Sequence, residues 1–397
     1  MRCEKTHWVQ VRVGELGKIV TGKTPKTSIS ENYGGKTPFL TPSDNMLTKY
    51  VTATKKSLTD KGVTEVKNCL LPQSSVCVSC IGSDLGKVVI TTEPTVTNQQ
   101  INSIIVDQKK FDVSFVYYAM LILGKQLNYL SKTSTAVPIV NKTAFSSYSI
   151  FCPELWQQEE IAAILSSLDD KIELNNKINE NLERQARALL TQWLVENDGA
   201  YEFSLLSEVA VINPDIYSPK DAWEFVNYLD TSSITDGTIS EIQHIKPSTE
   251  KLPSRARRII AANDVVFSTV RPNQRHFGLI NDPLDNMLAS TGFAVVRSNH
   301  PSVSNELLYL CLTEDSFIEK MQQLAEQRTS TFPSIKPSDL GCCEIPCPIS
   351  QELMKTLKAI FASISSNQKQ NRVLAELRDA LIPKLMSGEI DVSDIQI

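Results

Sequence analysis

The sequence predicts a mixed α/β protein, of the α+β type, in which two strand-rich heads are separated by two long helices. The first observation is a seam of apolar residues at alternating three- and four-residue steps, the spacing at which helices supercoil. The second is that this seam recurs 192 residues later, with two asparagines at matching places. The third is that short apolar runs, punctuated by Gly, Pro, Asn and Thr, precede each seam, which is typical of strands. The chain is therefore a tandem duplication, and we call the two globular parts head 1 and head 2.

Proline marks the end of each head. Pro153 and Pro348 stand just before the two seams, and a helix is expected to start after each. The first helix is predicted from about Trp156 to Val195, whereas Pro383 should kink the second helix near its end. The predicted divisions are residues 1–153 for head 1, 154–198 for the first long helix, 199–348 for head 2, and 349–397 for the second long helix with a C-terminal tail.

The asparagines in the seam predict how the two helices pair. Asn175 and Asn179 lie symmetrically about the middle of the first seam, and Asn367 and Asn371 do so in the second. A pseudo-two-fold axis then makes the coiled coil antiparallel, with Asn175 facing Asn371 and Asn179 facing Asn367. Buried asparagine in a seam costs stability but fixes register. The central coiled-coil positions are Leu168, Ile172, Asn175, Asn179, Leu182, Ile360, Ile364, Asn367, Asn371 and Leu374.

Surplus apolar residues lie off the seam on both helices. Contact with the protein's own heads and docking of partner helices into a larger bundle both account for them. These residues are Ile164, Leu174, Ile178, Leu190, Leu194, Phe361, Val373, Leu377 and Ile382.

Composition indicates a cytoplasmic globular protein. The N-terminal residues lack the apolar region of a secretory signal, and the longest apolar run, residues 115–123, is too short to span a bilayer. The net charge of −5 is unevenly spread. Residues 1–150 carry a charge of +8, which suits a polyanion-binding module, whereas residues 201–345 carry −7.

The nine cysteines favour neither a disulfide framework nor a metal site. Cys77 and Cys80 have a zinc-like spacing, but they lie in a strand-like run, and the four histidines have no ligand spacing. We expect buried structural thiols and no metal.

One formal nucleotide-binding pattern is rejected. Residues 17–24 match the P-loop pattern, but Pro25 follows at once, and no helical period begins at Lys23. The phosphate chemistry requires a helix that starts at that lysine. No catalytic constellation is evident elsewhere, so no chemistry is expected of this chain.

Polar loops at equivalent places in the two heads are the candidate DNA contacts. Arginine suits phosphate clamping and guanine reading, while asparagine and glutamine suit adenine reading. A solvated charged loop remains the alternative for each. The candidates are Lys36, Ser79, Ser83, Lys87, Asn98, Gln99 and Gln100 in head 1, and Arg255, Arg257, Arg258, Ser268, Arg271, Asn273, Arg275 and Thr291 in head 2.

The order of these features resembles a DNA specificity subunit of a type I restriction–modification system over essentially the whole chain. The residues that carry the resemblance are Pro153 with Gln157 to Ala162, Pro348 with Gln351 to Leu353, Leu70 to Pro72 with Gly86 to Val88, Asn263 to Asn273, Ala289 to Phe293, and Leu381 to Ile390. The run Trp156-Gln157 and Arg378 in the seam depart from the expected pattern.

The resemblance implies two target-recognition domains that each read one half of a split, asymmetric DNA site across a spacer of fixed length. It further implies two methyltransferase subunits that use S-adenosylmethionine, and two motor–nuclease subunits that use ATP and Mg²⁺, with no cofactor on this chain. The alternative is a coiled-coil scaffold for protein interaction without sequence-specific DNA binding.

Overall fold

The computed structural model describes residues 8–46, 48–51, 53–82, 85–132, 139–328 and 333–392. The chain forms two compact units. Unit 1 contains residues 1–174 and 370–397, and unit 2 contains residues 175–369. Each unit therefore combines one head with half of each long helix.

Head 1 is built from ten short strands and three helices among the described residues. The strands are β1 (Val9–Arg12), β2 (Gly17–Thr21), β3 (Tyr33–Leu40), β4 (Ser57–Leu58), β5 (Leu70–Leu71), β6 (Ser75–Ser79), β7 (Val88–Ile90), β8 (Thr95–Thr97), β9 (Ile101–Val106) and β10 (Ser149–Cys152). The helices are α1 (Asp60–Glu65), α2 (Val113–Lys132) and α3 (Lys142–Ser147), and the long helix α4 (Leu155–Glu196) follows.

Head 2 repeats this pattern. Its strands are β11 (Glu202–Leu205), β12 (Ala210–Ile212), β13 (Val226–Leu229), β14 (Ile234–Thr235), β15 (Thr238–Ile239), β16 (Gln243–Ile245), β17 (Ala256–Ile259), β18 (Asp264–Ser268), β19 (Phe277–Ile280), β20 (Met287–Ser290), β21 (Phe293–Ser298) and β22 (Glu344–Cys347). The helices are α5 (Leu206–Val209), α6 (Asn305–Leu312), α7 (Asp315–Arg328) and α8 (Pro337–Gly341), and the second long helix is α9 (Gln351–Met386).

The two heads share one sheet topology. Head 1 has four-stranded sheets in the orders β2-β9-β6-β7 and β4-β3-β8-β5, and head 2 has β12-β21-β18-β19 and β16-β13-β20-β17. Each head has a parallel pair, β3 with β8 and β13 with β20. Each also has a two-stranded ribbon that precedes its long helix, β1 with β10 and β11 with β22. The hairpin of β14 and β15 has no counterpart among the described strands of head 1. The duplication read from the sequence is thus a duplication of fold.

The apolar runs of the sequence become the central strands of these sheets. Every residue of β6 and of β18 is buried, which explains why these runs are apolar without alternation. Helix α2 continues to Lys132. In head 2, the break between α6 and α7 begins at Thr313, a buried residue whose hydroxyl donates to the Tyr309 carbonyl at 2.6 Å.

The helices α4 and α9 are part of the cores of the units. In unit 1, Ile161 and Leu165 of α4 and Leu385 of α9 belong to the same buried cluster as α2. In unit 2, the cluster includes Ala186 and Leu357. At 42 residues, α4 extends about 63 Å. The seam of each helix is thus covered partly by its own head.

The C-terminal end of α9 is closed by a glycine. The helix passes through Pro383 and ends at Met386. Gly388 adopts a left-handed conformation with φ of 72°, and the Glu389 amide donates to the Lys384 carbonyl at 2.9 Å. Such a glycine closes the helix because a Cβ would be strained there.

The contact between α2 and the β6–β7 hairpin depends on two glycines. A Cβ on Gly124 would lie 2.2 Å from the carbonyl oxygen of Gly86, a backbone atom that cannot rotate away. We expect Gly124→Ala to lower the free energy of unfolding by about 1–3 kcal/mol through overpacking, measured by thermal or denaturant unfolding. Helix propensity alone favours alanine by about 1 kcal/mol, so a stabilised variant would contradict the close packing.

Candidate nucleic-acid interface

Three loops of head 1 are joined by backbone hydrogen bonds. The Gly22 amide donates to the Ile101 carbonyl at 3.1 Å, and the Lys23 amide donates to the Thr97 carbonyl at 2.9 Å. The Cys80 amide donates to the Gln100 carbonyl at 2.8 Å. The residues after β2, the loop after β6 and the turn before β9 therefore form one surface.

This arrangement agrees with the rejection of a nucleotide-binding loop. The segment that matches the P-loop pattern is strand β2 and an irregular stretch, and no helix begins at Lys23. The amides of Gly22 and Lys23 already donate within the head. They are not available as the phosphate cradle that a P-loop provides.

The predicted contact residues of head 1 fall into exposed and buried sets. Lys36 and Gln99 are exposed and Lys87 is half-buried. Ser79 is fully buried, and its hydroxyl accepts from the Lys87 amide at 2.9 Å, so it shapes the hairpin and does not face a ligand. Ser83 lies outside the described residues.

The amide side chains at residues 98–100 are also divided. Asn98 is buried, and its side chain accepts from the Gln100 amide at 3.1 Å and donates to the Gln100 Oε1 at 2.9 Å. The prediction of base reading by Asn98 is therefore corrected: it is a turn residue. Gln99 is exposed, and its Oε1 accepts from the Thr24 hydroxyl at 2.7 Å. Gln100 is half-buried.

Head 2 joins the equivalent loops in the same manner. The Thr291 amide donates to the Arg255 carbonyl at 2.8 Å, and the Thr269 amide donates to the Gly292 carbonyl at 2.8 Å. Thr291 and Asn273 are exposed. Ser268 is fully buried, and its hydroxyl donates to the Val270 carbonyl at 2.8 Å. Like Ser79, Ser268 holds its loop and is corrected from a contact to a structural residue.

The arginines of head 2 differ in whether a carboxylate of the same head pairs with them. Arg275, with a left-handed φ of 58°, pairs with Asp236 and, at 2.6 Å, with Asp315. Burial opposes the charged form, but these two carboxylates raise the pKa of Arg275. The charge of Arg275 is thus already offset within the head, and its expected contact with DNA stays a prediction. Arg271 is half-buried and also has a left-handed φ.

Arg255, Arg257 and Arg258 lie together at the start of β17. Across the part of the chain that the structure describes, no carboxylate pairs with any of the three. Arg255 is exposed, and the other two are half-buried. The Nε of Arg258 is buried without a hydrogen-bond partner, and burial lowers the pKa of this residue. A bulge between Ala256 and Arg258 interrupts the pairing with β20. This trio, the β17 arginines, is a cluster of positive charge without a carboxylate partner among the described residues of an otherwise acidic head.

One surface of head 1 was not selected from the sequence. A shallow groove between the β6–β7 hairpin and α2 is lined by Leu85, Lys87, Lys125 and Tyr129, among others. Tyr129 is 71% exposed. The sequence feature that could have indicated this surface is an aromatic residue beside lysines on the polar side of α2.

In each unit, the contact between the two long helices joins residues that lie at or next to facing positions of the predicted antiparallel register. In unit 2, the Asn367 side chain donates to the Asn179 side chain at 2.8 Å, which confirms that predicted pair. In unit 1, Arg378 donates to Asp169 at 2.7 Å. Asn175 is buried, and its pairing with Asn371 stays a prediction.

The other central seam residues are buried or half-buried. They are Leu168, Ile172, Leu182, Ile360, Ile364, Asn371 and Leu374. Toward the end of α4, Leu190 is buried, whereas Leu189, which follows Ala186 at a three-residue step of the seam, is 36% exposed. Packing against head 2 selects the neighbouring residue there.

The off-seam apolar residues are divided between the cores of the units and the surface. Five of them pack in the cores of the units: Ile164, Leu190, Leu194, Phe361 and Ile382. Four are exposed: Leu174, Ile178, Val373 and Leu377.

The described residues contain no group of three or more potential metal ligands. Among the same residues, no helix is both long enough and apolar enough to cross a membrane.

The chain is similar to known specificity proteins. Residues 5–184 match the family model of the type I restriction modification DNA specificity domain. The type I restriction enzyme MjaIX specificity subunit of Methanocaldococcus jannaschii is 27% identical, over 98% of this chain and 94% of that protein. The HindI specificity subunit of Haemophilus influenzae is 32% identical, over 44% of this chain and 39% of that protein. The crystal structure of a type I restriction–modification S subunit from M. genitalium has the same fold, with a TM-score of 0.52 and 17% identity over 97% of both chains.

The asparagine pair gives a stability prediction. Asn179→Leu leaves the half-buried Asn367 amide without its partner, so we expect the free energy of unfolding to fall by about 1–3 kcal/mol. Asn179→Leu/Asn367→Leu should recover this loss or exceed the wild type, because both polar groups are then removed. A double variant as unstable as the single variant would contradict the pairing. Denaturant unfolding monitored by circular dichroism measures both.

Proposed function

Because the chain belongs to the family of type I restriction–modification DNA specificity subunits, we propose that it recognises a bipartite, asymmetric DNA site with one half-site for each head. Its coarser role, DNA sequence specificity, is that of the family. The observation that carries the finer proposal is the repetition of one sheet topology with different residues on equivalent loops. A repeated scaffold with unlike loops is what reading two unlike half-sites requires.

The loops have the chemistry for DNA contact. Base reading needs exposed donors and acceptors, and Gln99 in head 1 and Thr291 and Asn273 in head 2 are exposed. Phosphate contact needs positive charge that is not already paired, and the β17 arginines supply it in head 2. In head 1, the exposed Lys36 has the same role in our proposal. Phosphate contacts position a protein on DNA, and base contacts specify the sequence.

We further propose that this chain performs no catalysis and assembles with two methyltransferase and two motor–nuclease subunits. S-adenosylmethionine, ATP and Mg²⁺ would then belong to those partners. The exposed apolar residues Leu174, Val373 and Leu377 of unit 1, with Ile178 of unit 2, support contact of partner helices with α4 and α9. An interaction scaffold without DNA recognition remains the alternative.

The modular reading is tested by exchanging one head. Replacing residues 1–153 with the corresponding head of another specificity subunit should change one half-site and leave the other half-site and the spacing as they were. Selection of bound sequences from a random DNA library, with the partner subunits present, measures this. A simultaneous change in both half-sites would overturn the modular proposal, and no selected sequence would favour the scaffold.

The β17 arginines and Arg275 give a matched pair of predictions. Each phosphate contact adds about 0.9 to the slope of log affinity against log salt concentration. Arg257→Ala and Arg258→Ala should each reduce that slope by about 1 and weaken binding evenly across sequences. Arg275→Ala should leave the slope unchanged, because Asp236 and Asp315 already hold its charge.

Binding titrations at several salt concentrations measure these slopes. A reduced slope for Arg275→Ala, with none for Arg257→Ala and Arg258→Ala, would reverse the assignment.

A further inference from the structure

The two repeats differ at a pair of positions where the helices and the heads meet. Adding 192 to Asp169 gives Phe361, and adding 192 to Ala186 gives Arg378. In unit 1 the neighbours across the coil are Asp169 of α4 and Arg378 of α9. In unit 2 the equivalent residues are Phe361 of α9 and Ala186 of α4, which lie in one buried cluster. A charged pair in one unit thus stands where an apolar pair stands in the other.

In the charged pair of unit 1, Asp169 is buried and Arg378 is half-buried, and Arg378 also donates to Asp379 of its own helix at 2.9 Å. Arg378 donates to Asp169 Oδ1 at 2.7 Å, and the Tyr118 hydroxyl donates to Asp169 Oδ2 at 2.6 Å. The side chains of Asp169 and Arg378 are 8% and 23% exposed. Nearby, the buried Lys49 ammonium donates to the Ser166 hydroxyl at 2.6 Å and lies 5.3 Å from the Tyr118 ring centroid. A polar network therefore joins head 1 to α4 and α9, and we call the place where a head contacts the two long helices its seat.

The equivalent seat of unit 2 is apolar at its centre. Tyr309 of head 2 packs edge-on against Phe361, with ring centroids 5.5 Å apart. Ala186 is fully buried. The Tyr309 hydroxyl is directed instead to Glu183, at 3.3 Å, which pairs with Arg187. Among the described residues, the charged groups nearest to Phe361 and Ala186 are Glu183 and Arg187, and these are already paired with each other.

The residues at these positions therefore favour pairing of α4 with α9 and disfavour pairing of either helix with a second copy of itself. If α4 paired with α4 of a second copy in the same register, Asp169 would lie beside Ala186 of that copy, without Arg378. If α9 paired with α9 of a second copy, Arg378 would lie beside Phe361. Arg378 would keep its pair with Asp379 of the same helix, but the buried Asp169 would lose Arg378. A buried charge that loses its partner is strongly destabilising, whereas the intact pair is close to neutral.

We infer that Asp169 and Arg378 are positioning residues that restrict each long helix to pairing with the other repeat and not with a copy of itself. A duplicated chain without this device would also form symmetric assemblies that carry two identical heads. The charged pair keeps the two different heads on one coiled coil. The inference holds whatever the heads bind.

The test copies the residues of unit 2 into unit 1. Two differently tagged forms of the full-length chain are co-expressed, one tag is captured, and the second tag is quantified. We expect Asp169→Phe/Arg378→Ala to capture at least fivefold more of the second copy than the wild type, because both seats are then alike. Asp169→Asn/Arg378→Gln, which removes the charges but keeps polar groups of similar size, should give an intermediate increase.

The control is Asp282→Ala/Lys369→Ala, which removes an ion pair between head 2 and α9 outside the seam. It should capture no more than the wild type. Thermal unfolding is measured for each variant to establish that it folds. If Asp169→Phe/Arg378→Ala does not fold, Asp169→Asn/Arg378→Gln decides the test. Capture by the deciding variant that is no higher than that of the wild type, or no higher than that of the control, would overturn the inference, since the pair would then contribute stability alone.

Discussion

The antiparallel pairing of α4 and α9 is the constraint on which the structure depends. Neither head completes its core without these helices, because Leu165 and Leu385 are buried with head 1 and Ala186 and Leu357 with head 2. The helices are therefore both a spacer and a wall of each core. Burial of this seam supplies the apolar contact that the short strands alone would lack. Any change in helix register would disturb both heads at the points where they are seated.

Polar groups inside that seam set its register. An apolar seam tolerates sliding, whereas Asn179 with Asn367 and Asp169 with Arg378 are each satisfied in one alignment. Leaving a buried amide or charge unpaired costs more than the bond contributes when it is formed. Such groups therefore act mainly against wrong pairings. In our proposal this fixes the separation between the half-sites that the two heads read.

The arginines of head 2 fall into two groups, those that pair with carboxylates of the head and those that do not. Arg275 and Arg297 are paired with carboxylates, in the latter case the fully buried Asp264 at 2.7 Å, so they hold loops and strands in place. The β17 arginines have no such partner among the described residues. A domain with a net negative charge is compatible with DNA binding when a cluster of its positive charges has no carboxylate partner. Net charge alone would exclude this head from DNA contact.

The sequence by itself determined the duplication, the two long helices and the antiparallel pairing. Periodicity and repeated asparagines are local properties of the chain, and they survive in any fold that buries the seam. It also located the loops, because turn residues and strand ends lie at matching distances in the two repeats. It did not determine which loop residues are exposed. Asn98, Ser79 and Ser268 have the chemistry of base or phosphate contacts, but folding turns them inward to satisfy backbone groups.

Only the tertiary structure decided which partners the charged residues pair with. Arg275 meets Asp236 and Asp315, which are 39 and 40 residues distant in the chain, and no local pattern encodes such a meeting. In the sequence, Arg378 interrupts the apolar seam. In the structure it donates to Asp169 across the coil, and the Tyr118 hydroxyl of head 1 donates to the same carboxylate. The end of α4 likewise buries Leu190 in place of Leu189, because head 2 covers one side of the helix. Periodicity fixes which side of a helix is apolar, whereas the partners that neutralise a charge or cover a surface come from distant segments that only folding brings together.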